Sequence, residues 1–247
     1  MKVLILGAGY ATRLYPLTAT RPKPLLTVAD RPMLEWILEG LSAVEGIDRG
    51  YLVTNERFAR QYAAWLRDAK TPWPVELIND GSTSDQDKLG AVGDLQLAIE
   101  KKSIRDDLLV MAGDNLLRMD MGAFAREFAR RHETLVALKD VTGSPMIRRY
   151  SVVTLDADRR IIDFEEKPAY PQSSLIAICL YLLPGAELPL VERYLSEGHN
   201  RDAPGYYIQW LHRVTRVYGH VFKDLWFDIG DIDSYNEANR VYQGLTR

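Results

Sequence analysis

The first apolar run of the chain, Val3 to Leu6, breaks directly into Gly7-Ala8-Gly9, and Arg13 and Lys23 follow in a short proline-punctuated window. A strand that empties into a glycine loop narrows the choice of fold. Open α/β sheets present ligands at the carboxyl ends of their strands, and a loop without bulky side chains lets backbone N–H groups approach phosphate oxygens. Two placed cations beside such a loop point to a polyphosphate.

The rest of the chain supports an α/β reading. Lys2–Leu6, Gly50–Thr54, Val75–Ile78 and Leu108–Ala112 read as strands. Between them run helical periods: Leu34, Ile37, Leu38, Leu41 and Val44 after Pro32, then Glu56–Ala69, then Leu89–Lys102, with a polar loop at 79–88. This order predicts a Rossmann-like, mostly parallel mixed sheet with helices on both faces. After Met119 come a helix near 120–132 and shorter strands at Leu135–Leu138, Tyr150–Leu155, Ile161–Phe164 and Ile176–Leu183, which read as antiparallel additions. Helices near Leu188–Ser196 and Tyr206–Val214, a strand at Val217–Phe222 and a last helix from about Asp231 complete the pattern. The length, 247 residues, fits one domain spanning 1–247.

Charge and cysteine usage exclude several classes. With 31 basic and 34 acidic residues the net charge is −3, so no polybasic surface argues for nucleic acid or membrane. Cys179, the only cysteine, lies in an apolar run and reads as a buried structural thiol. No run approaches membrane-spanning length and MKVLIL is too short for a signal peptide, so the cytoplasm is the expected compartment. None of the four histidines falls in a motif.

The nearest alternatives for the loop fail on single residues. A dinucleotide fingerprint needs a third Gly or an Ala where Thr12 stands, and an acid where Val53-Thr54-Asn55 end the second strand. A Walker loop needs Gly-Lys-Ser/Thr, and a protein kinase an HRD segment; neither occurs. Residues 6–18, LGAGYATRLYPLT, followed by Pro22-Lys23-Pro24, resemble instead the L-A-G-G-x-G-T-R-L-x-P-L-T and P-K-P signature of the sugar-1-phosphate nucleotidyltransferases. LGAVGDL (89–95), AGDNL (112–116), FEEKP (164–168) and WFDIGD (226–231) resemble four further family segments in the family's order.

The resemblance implies a nucleotide-diphospho-sugar transferase fold of GT-A type, with a nucleotide-binding half at about 1–118 and a sugar-phosphate-binding half at about 119–247, and Mg²⁺-dependent transfer of a nucleotidyl group from an NTP to a sugar 1-phosphate. It places Arg13 and Lys23 at the reacting phosphates and Asp114 and Asp228 on the metal. It puts Leu6, Gly7, Ala8, Gly9, Asn79, Leu89 and Gly90 around the nucleotide, and Asn115, Glu166 and Lys167 around the sugar phosphate. This chemistry joins two anions whose nucleophile is already ionised. It calls for cations and positioned donors rather than a Ser/His or Cys/His pair.

The Gly113-Asp114-Asn115 segment leans towards dTTP, with GTP, CTP and UTP open. Ala8 and Ala11 replace family glycines, small for small; Ser151 and Cys179 replace two others near the sugar, which favours a modified sugar or cyclitol phosphate as acceptor. A catalytically silent regulatory subunit is disfavoured because the expected cations and metal aspartates are all present; transfer to a non-sugar phosphate stays open. Family members are often homo-oligomers, and the sequence does not set the oligomeric state of this chain.

Overall fold

In the computed structural model, which describes residues 1–245, the chain alternates as expected through its first half. It runs β1 (Lys2–Leu6), β2 (Thr27–Val28), β3 (Arg31–Pro32), α1 (Met33–Leu41), β4 (Arg49–Thr54), α2 (Glu56–Asp68), β5 (Val75–Asn79), α3 (Ala91–Lys101) and β6 (Leu108–Ala112). The second half adds β7 (Asn115–Leu117), α4 (Met121–Arg131), β8 (Thr134–Asp140), β9 (Ser151–Leu155), β10 (Ile161–Glu166), β11 (Leu175–Leu183), α5 (Pro189–Ser196), α6 (Pro204–Val214), β12 (Val217–Phe222), β13 (Trp226–Asp228) and α7 (Ile232–Leu245).

One nine-stranded mixed sheet runs through both halves. β5, β4, β1 and β6 are parallel neighbours in that order. β11 then pairs antiparallel with β6, β8 and β9. Strand residues alternate between two cores. Leu4, Leu108 and Val110 face the layer of α3, α5 and α6, whereas Val3, Ile5, Leu109 and Met111 face α1, α2 and α4. Helices therefore cover both faces. A third cluster joins Leu14, Val28, Met33, Leu116, Ile229 and Tyr242, and so clamps the glycine loop to the C-terminal helix.

One boundary differs from the sequence reading, and two features add to it. Helix α3 starts at Ala91, not Leu89, because the N–H groups of Ala91 and Val92 bond the carbonyls of Asp202 and Arg201. Strand β12 joins β8 in parallel. The ladders β2–β3 and β7–β13 carry only two or three residues a side, too few to show a period of two.

Candidate active site

Because β4 and β6 flank β1 on opposite sides, successive connections leave β1 in opposite directions, and a crevice opens at the carboxyl ends of β1 and β6. A cleft of about 1180 Å³ lies there. It is lined by Leu6, Gly7, Ala8, Gly9, Arg13, Lys23, Gly90, Asp114, Asn115, Glu166, Lys167 and Asp228. Of the residues expected around the ligands, Asn79 and Leu89 are not brought to it. Asn79 gives its amide to Glu56 at 2.5 Å and accepts from the Gly81 N–H at 2.9 Å, at the base of the polar loop.

The glycine loop is fixed from below. Asn55 caps α2 by accepting from the Phe58 N–H at 3.0 Å, and its amide holds the Ala8 carbonyl at 2.7 Å. Sequence reasoning noted Asn55 only as a missing acid; its buried side chain ties the loop to the end of β4. Ala11 takes a left-handed conformation (φ 47°, ψ 43°), and Arg13 follows on a single 3₁₀ turn, Thr12–Leu14. Thr18 Oγ1 holds the Ala11 carbonyl at 2.7 Å. Arg13 is exposed, lines the cleft and has no ion pair among the described residues.

Lys23 reaches the cleft from a second 3₁₀ turn, Lys23–Leu25, and its Nζ lies 2.6 Å from Asp114 Oδ2. Gly113 makes this approach feasible. A Cβ there would stand 2.8 Å from Pro24 Cγ and 3.0 Å from the Leu6 carbonyl, so only glycine lets the Lys23 turn lie against the end of β6.

Asp228 arrives beside Asp114 through the short antiparallel ladder in which Asp228 opposes Asn115. Asp231, not Asp228, caps α7, accepting from the Ser234 N–H at 2.9 Å. That leaves Asp228 facing the cleft. Burial, and then the neighbouring Asp114 charge, push the Asp228 carboxyl up to about 6, against the pull of Lys23 and Arg13. Two carboxylates set close in a confined site, with Lys23 already drawn onto one of them, suit a hard divalent cation such as Mg²⁺, which takes oxygen ligands and commonly only one or two protein carboxylates. No cluster of three or more His, Cys, Asp or Glu side chains able to hold a metal occurs among the described residues, so any remaining ligands would come from phosphate and water.

Glu166 and Lys167 also line the cleft. Ser151 Oγ donates to Glu166 Oε2, and Lys167 Nζ lies 3.4 Å from Glu166 Oε1. The start of α6 presses against this pair so closely that a Cβ on Gly205 would overlap both Glu166 and Ser151. The Ser151 hydroxyl thus acts on Glu166 directly. Asn115 is also engaged, accepting from the Trp226 indole N–H at 3.0 Å and donating to the Cys179 carbonyl at 3.2 Å. Cys179 lines the cleft, and burial pushes its thiol well up, away from nucleophilic chemistry. Sequence reasoning missed Arg149, which pairs with Asp231 at 3.6 Å, and Tyr150, whose hydroxyl is pushed up to about 12 by burial and Asp228. From the polar loop 79–88 and the segment 89–95, named in the sequence only as whole segments, the structure brings Asp80 and Asp94 to the cleft.

Comparison with known proteins places this geometry in a class. Residues 2–244 match the nucleotidyl transferase family, and the chain belongs to it. A UTP–glucose-1-phosphate uridylyltransferase of Synechocystis sp. is 28% identical over 250 residues, covering 97% of this chain and 63% of its own length. A glucose-1-phosphate thymidylyltransferase of Streptomyces griseus is 30% identical over 248 residues, covering 98% of this chain and 66% of its own. The chain spans 54–66% of the length of the curated relatives it matches. A crystal structure of UDP-glucose pyrophosphorylase with UDP-glucose superposes with a TM-score of 0.83 at 20% identity, covering 100% of this chain and 99% of that one. The fold is therefore that of the nucleotidyltransferases. No described helix is long and apolar enough to cross a membrane.

Proposed function

We propose that the protein transfers a nucleotidyl group from an NTP to a sugar 1-phosphate, releasing pyrophosphate. The observation that carries this reading is the convergence of Arg13, Lys23, Asp114 and Asp228 on one cleft that Glu166 and Lys167 also line. The residues up to about 118 then serve the nucleotide and those from about 119 the acceptor.

An oxygen of the acceptor phosphate forms a bond to the α-phosphorus while the bond from that phosphorus to the bridging oxygen of pyrophosphate breaks. The departing pyrophosphate carries away the negative charge, and no proton needs to move. Arg13 is placed to hold the leaving phosphates with its forked, permanently charged guanidinium. Lys23 leaves Asp114 to meet the α-phosphoryl oxygens. Asp114 and Asp228 would hold Mg²⁺, which when bound neutralises phosphate charge. Lys167 meets the acceptor phosphate, and Glu166, fixed by Ser151, accepts from an acceptor hydroxyl. Side chains at 151 and 179 narrow the cleft there, which favours an acceptor other than plain glucose 1-phosphate.

Pyrophosphate release measured over a matrix of NTPs and phosphorylated sugars, cyclitols and choline, with Mg²⁺, tests the reading. Turnover of at least one NTP and sugar-phosphate pair is expected, with Arg13→Ala and Asp114→Asn each lowering it roughly a thousandfold or more. No release from any pair, or near-wild-type turnover in either variant, overturns it.

A further inference from the structure

Part of the cleft wall is built by the glycine loop, the turn after β5 and the first turn of α3. Asp94 projects from that first turn and is 5% exposed. Its Oδ1 is buried with no hydrogen-bond donor among the described residues. The neighbour within hydrogen-bonding reach is another carboxylate, Asp80, which also lines the cleft. Asp80 is held rigidly, accepting from the Ser82 N–H at 2.7 Å and the Ser82 hydroxyl at 2.8 Å, with that hydroxyl 3.2 Å from Tyr10 Oη. Lys88, which also lines the cleft, does not neutralise the pair; it is taken by Asp85 at 3.1 Å and Asp202 at 3.0 Å.

A proton on Asp94, turned towards Asp80, relieves the repulsion of such a pair. Burial and the Asp80 charge push Asp94 up to about 8, in keeping with that arrangement. That proton is used between the two carboxyls, so the pair meets a cleft ligand as acceptors, on a wall that carries net negative charge. A ligand group that turns an N–H towards this wall gains a charge-assisted hydrogen bond. One that turns a carbonyl towards it leaves two acceptors facing each other in a desolvated site.

We infer that Asp94, backed by Asp80, is a specificity-determining residue for the nucleobase and selects bases with an exocyclic amine over uracil and thymine. The inference rests on the reading of the cleft as a nucleotide site. Guanine presents an amine next to a ring N–H, and cytosine and adenine each present an amine. Uracil and thymine offer a single N–H flanked by two carbonyls. A built hydrogen-bonding site rejects the mismatched partner much more strongly than an apolar pocket does.

The test is binding of GTP, CTP, ATP, UTP and dTTP to the full chain by calorimetry, with Mg²⁺ and without acceptor, followed by kcat/KM for each. At least one amino-bearing nucleotide is expected to bind about tenfold or more tighter than UTP and dTTP. Asp94→Asn, which replaces the Asp94 proton with a permanent amide donor, should narrow that ratio about tenfold or more, chiefly by relative gain of UTP and dTTP. A merely structural Asp94 would lower the Tm and weaken all five nucleotides alike. Preference of the wild-type protein for UTP or dTTP, or an unchanged ratio in Asp94→Asn, overturns the inference. If Asp94→Asn does not fold, Asp80→Asn makes the same test from the other side of the pair. Amino-selective binding without pyrophosphate release from any pair would strike at the transfer reaction and leave this inference standing.

Discussion

Asp228 is held in a position that suits a cation and penalises the protein without one, and Asp228→Asn separates the two effects. The side chain keeps its shape and loses its charge. In the native state, burial and Asp114 raise the Asp228 carboxyl from its usual 3.8 to about 6. At about 1.36 kcal/mol per unit, ionising it costs the folded protein up to about 3 kcal/mol relative to the unfolded chain. The sign follows from the direction of the shift. Above pH 6 the carboxylate is ionised in both states and the full penalty applies. Between 6 and 3.8 the unfolded chain loses its advantage, and below 3.8 both states are protonated and the penalty is gone. In metal-free buffer at pH 7.5 the Asn variant should therefore be more stable by up to about 3 kcal/mol, or roughly 6–12 °C in Tm for a chain of this size. At pH 4 the gap should fall below about 1 kcal/mol. Turnover with Mg²⁺ should drop by roughly a thousandfold over the same substitution. Thermal unfolding followed by circular dichroism across pH 4–8 reads the first effect, and pyrophosphate release reads the second. A variant less stable than wild type at pH 7.5, or a gap that does not shrink with acid, would refute the reasoning.

Two substitutions probe the loops that carry the cations. Gly113→Ala forces a methyl against Pro24 Cγ and the Leu6 carbonyl, so it should cost about 1–3 kcal/mol in thermal unfolding and also slow turnover by displacing Lys23 from Asp114. A Tm and a kcat both equal to wild type would show that the contact does not set the Lys23 turn. Ala11→Gly relieves a left-handed alanine worth roughly 1 kcal/mol and should raise the Tm by roughly 2–4 °C with kcat unchanged; a lowered Tm would show that the loop's order depends on the alanine.

What the sequence revealed of the site follows the range over which each residue acts. Arg13, Lys23 and Asp114 stand next to glycine and proline signals that mark strand ends, so their place at a ligand crevice was legible from local pattern, and the structure brings them to one cleft. Asp228 was harder, because a turn or cap aspartate looks the same in sequence. It is the capping of α7 by Asp231 and the three-residue pairing with β7 that free Asp228 to face Asp114. Asn79 shows the converse: its place at the mouth of the polar loop suggested a ligand contact, but Glu56, the first residue of α2, captures its amide.

Asp94 could not be singled out within the segment 89–95 for a more general reason. An acid in the first turn of a helix reads as ordinary favourable charge at the helix N-terminus. Only the fold shows that this one faces Asp80 instead of solvent. The division has a physical basis. Under the proposed function, phosphates are common to every substrate, so the residues proposed to meet them can sit in fixed local motifs. The groups proposed to meet a base edge or an acceptor hydroxyl come from segments far apart in the chain, as Asp80 meets Asp94 and Ser151 meets Glu166. On that reading the bond that is broken is written locally, and the molecules that carry it are specified by pairs that only folding brings together.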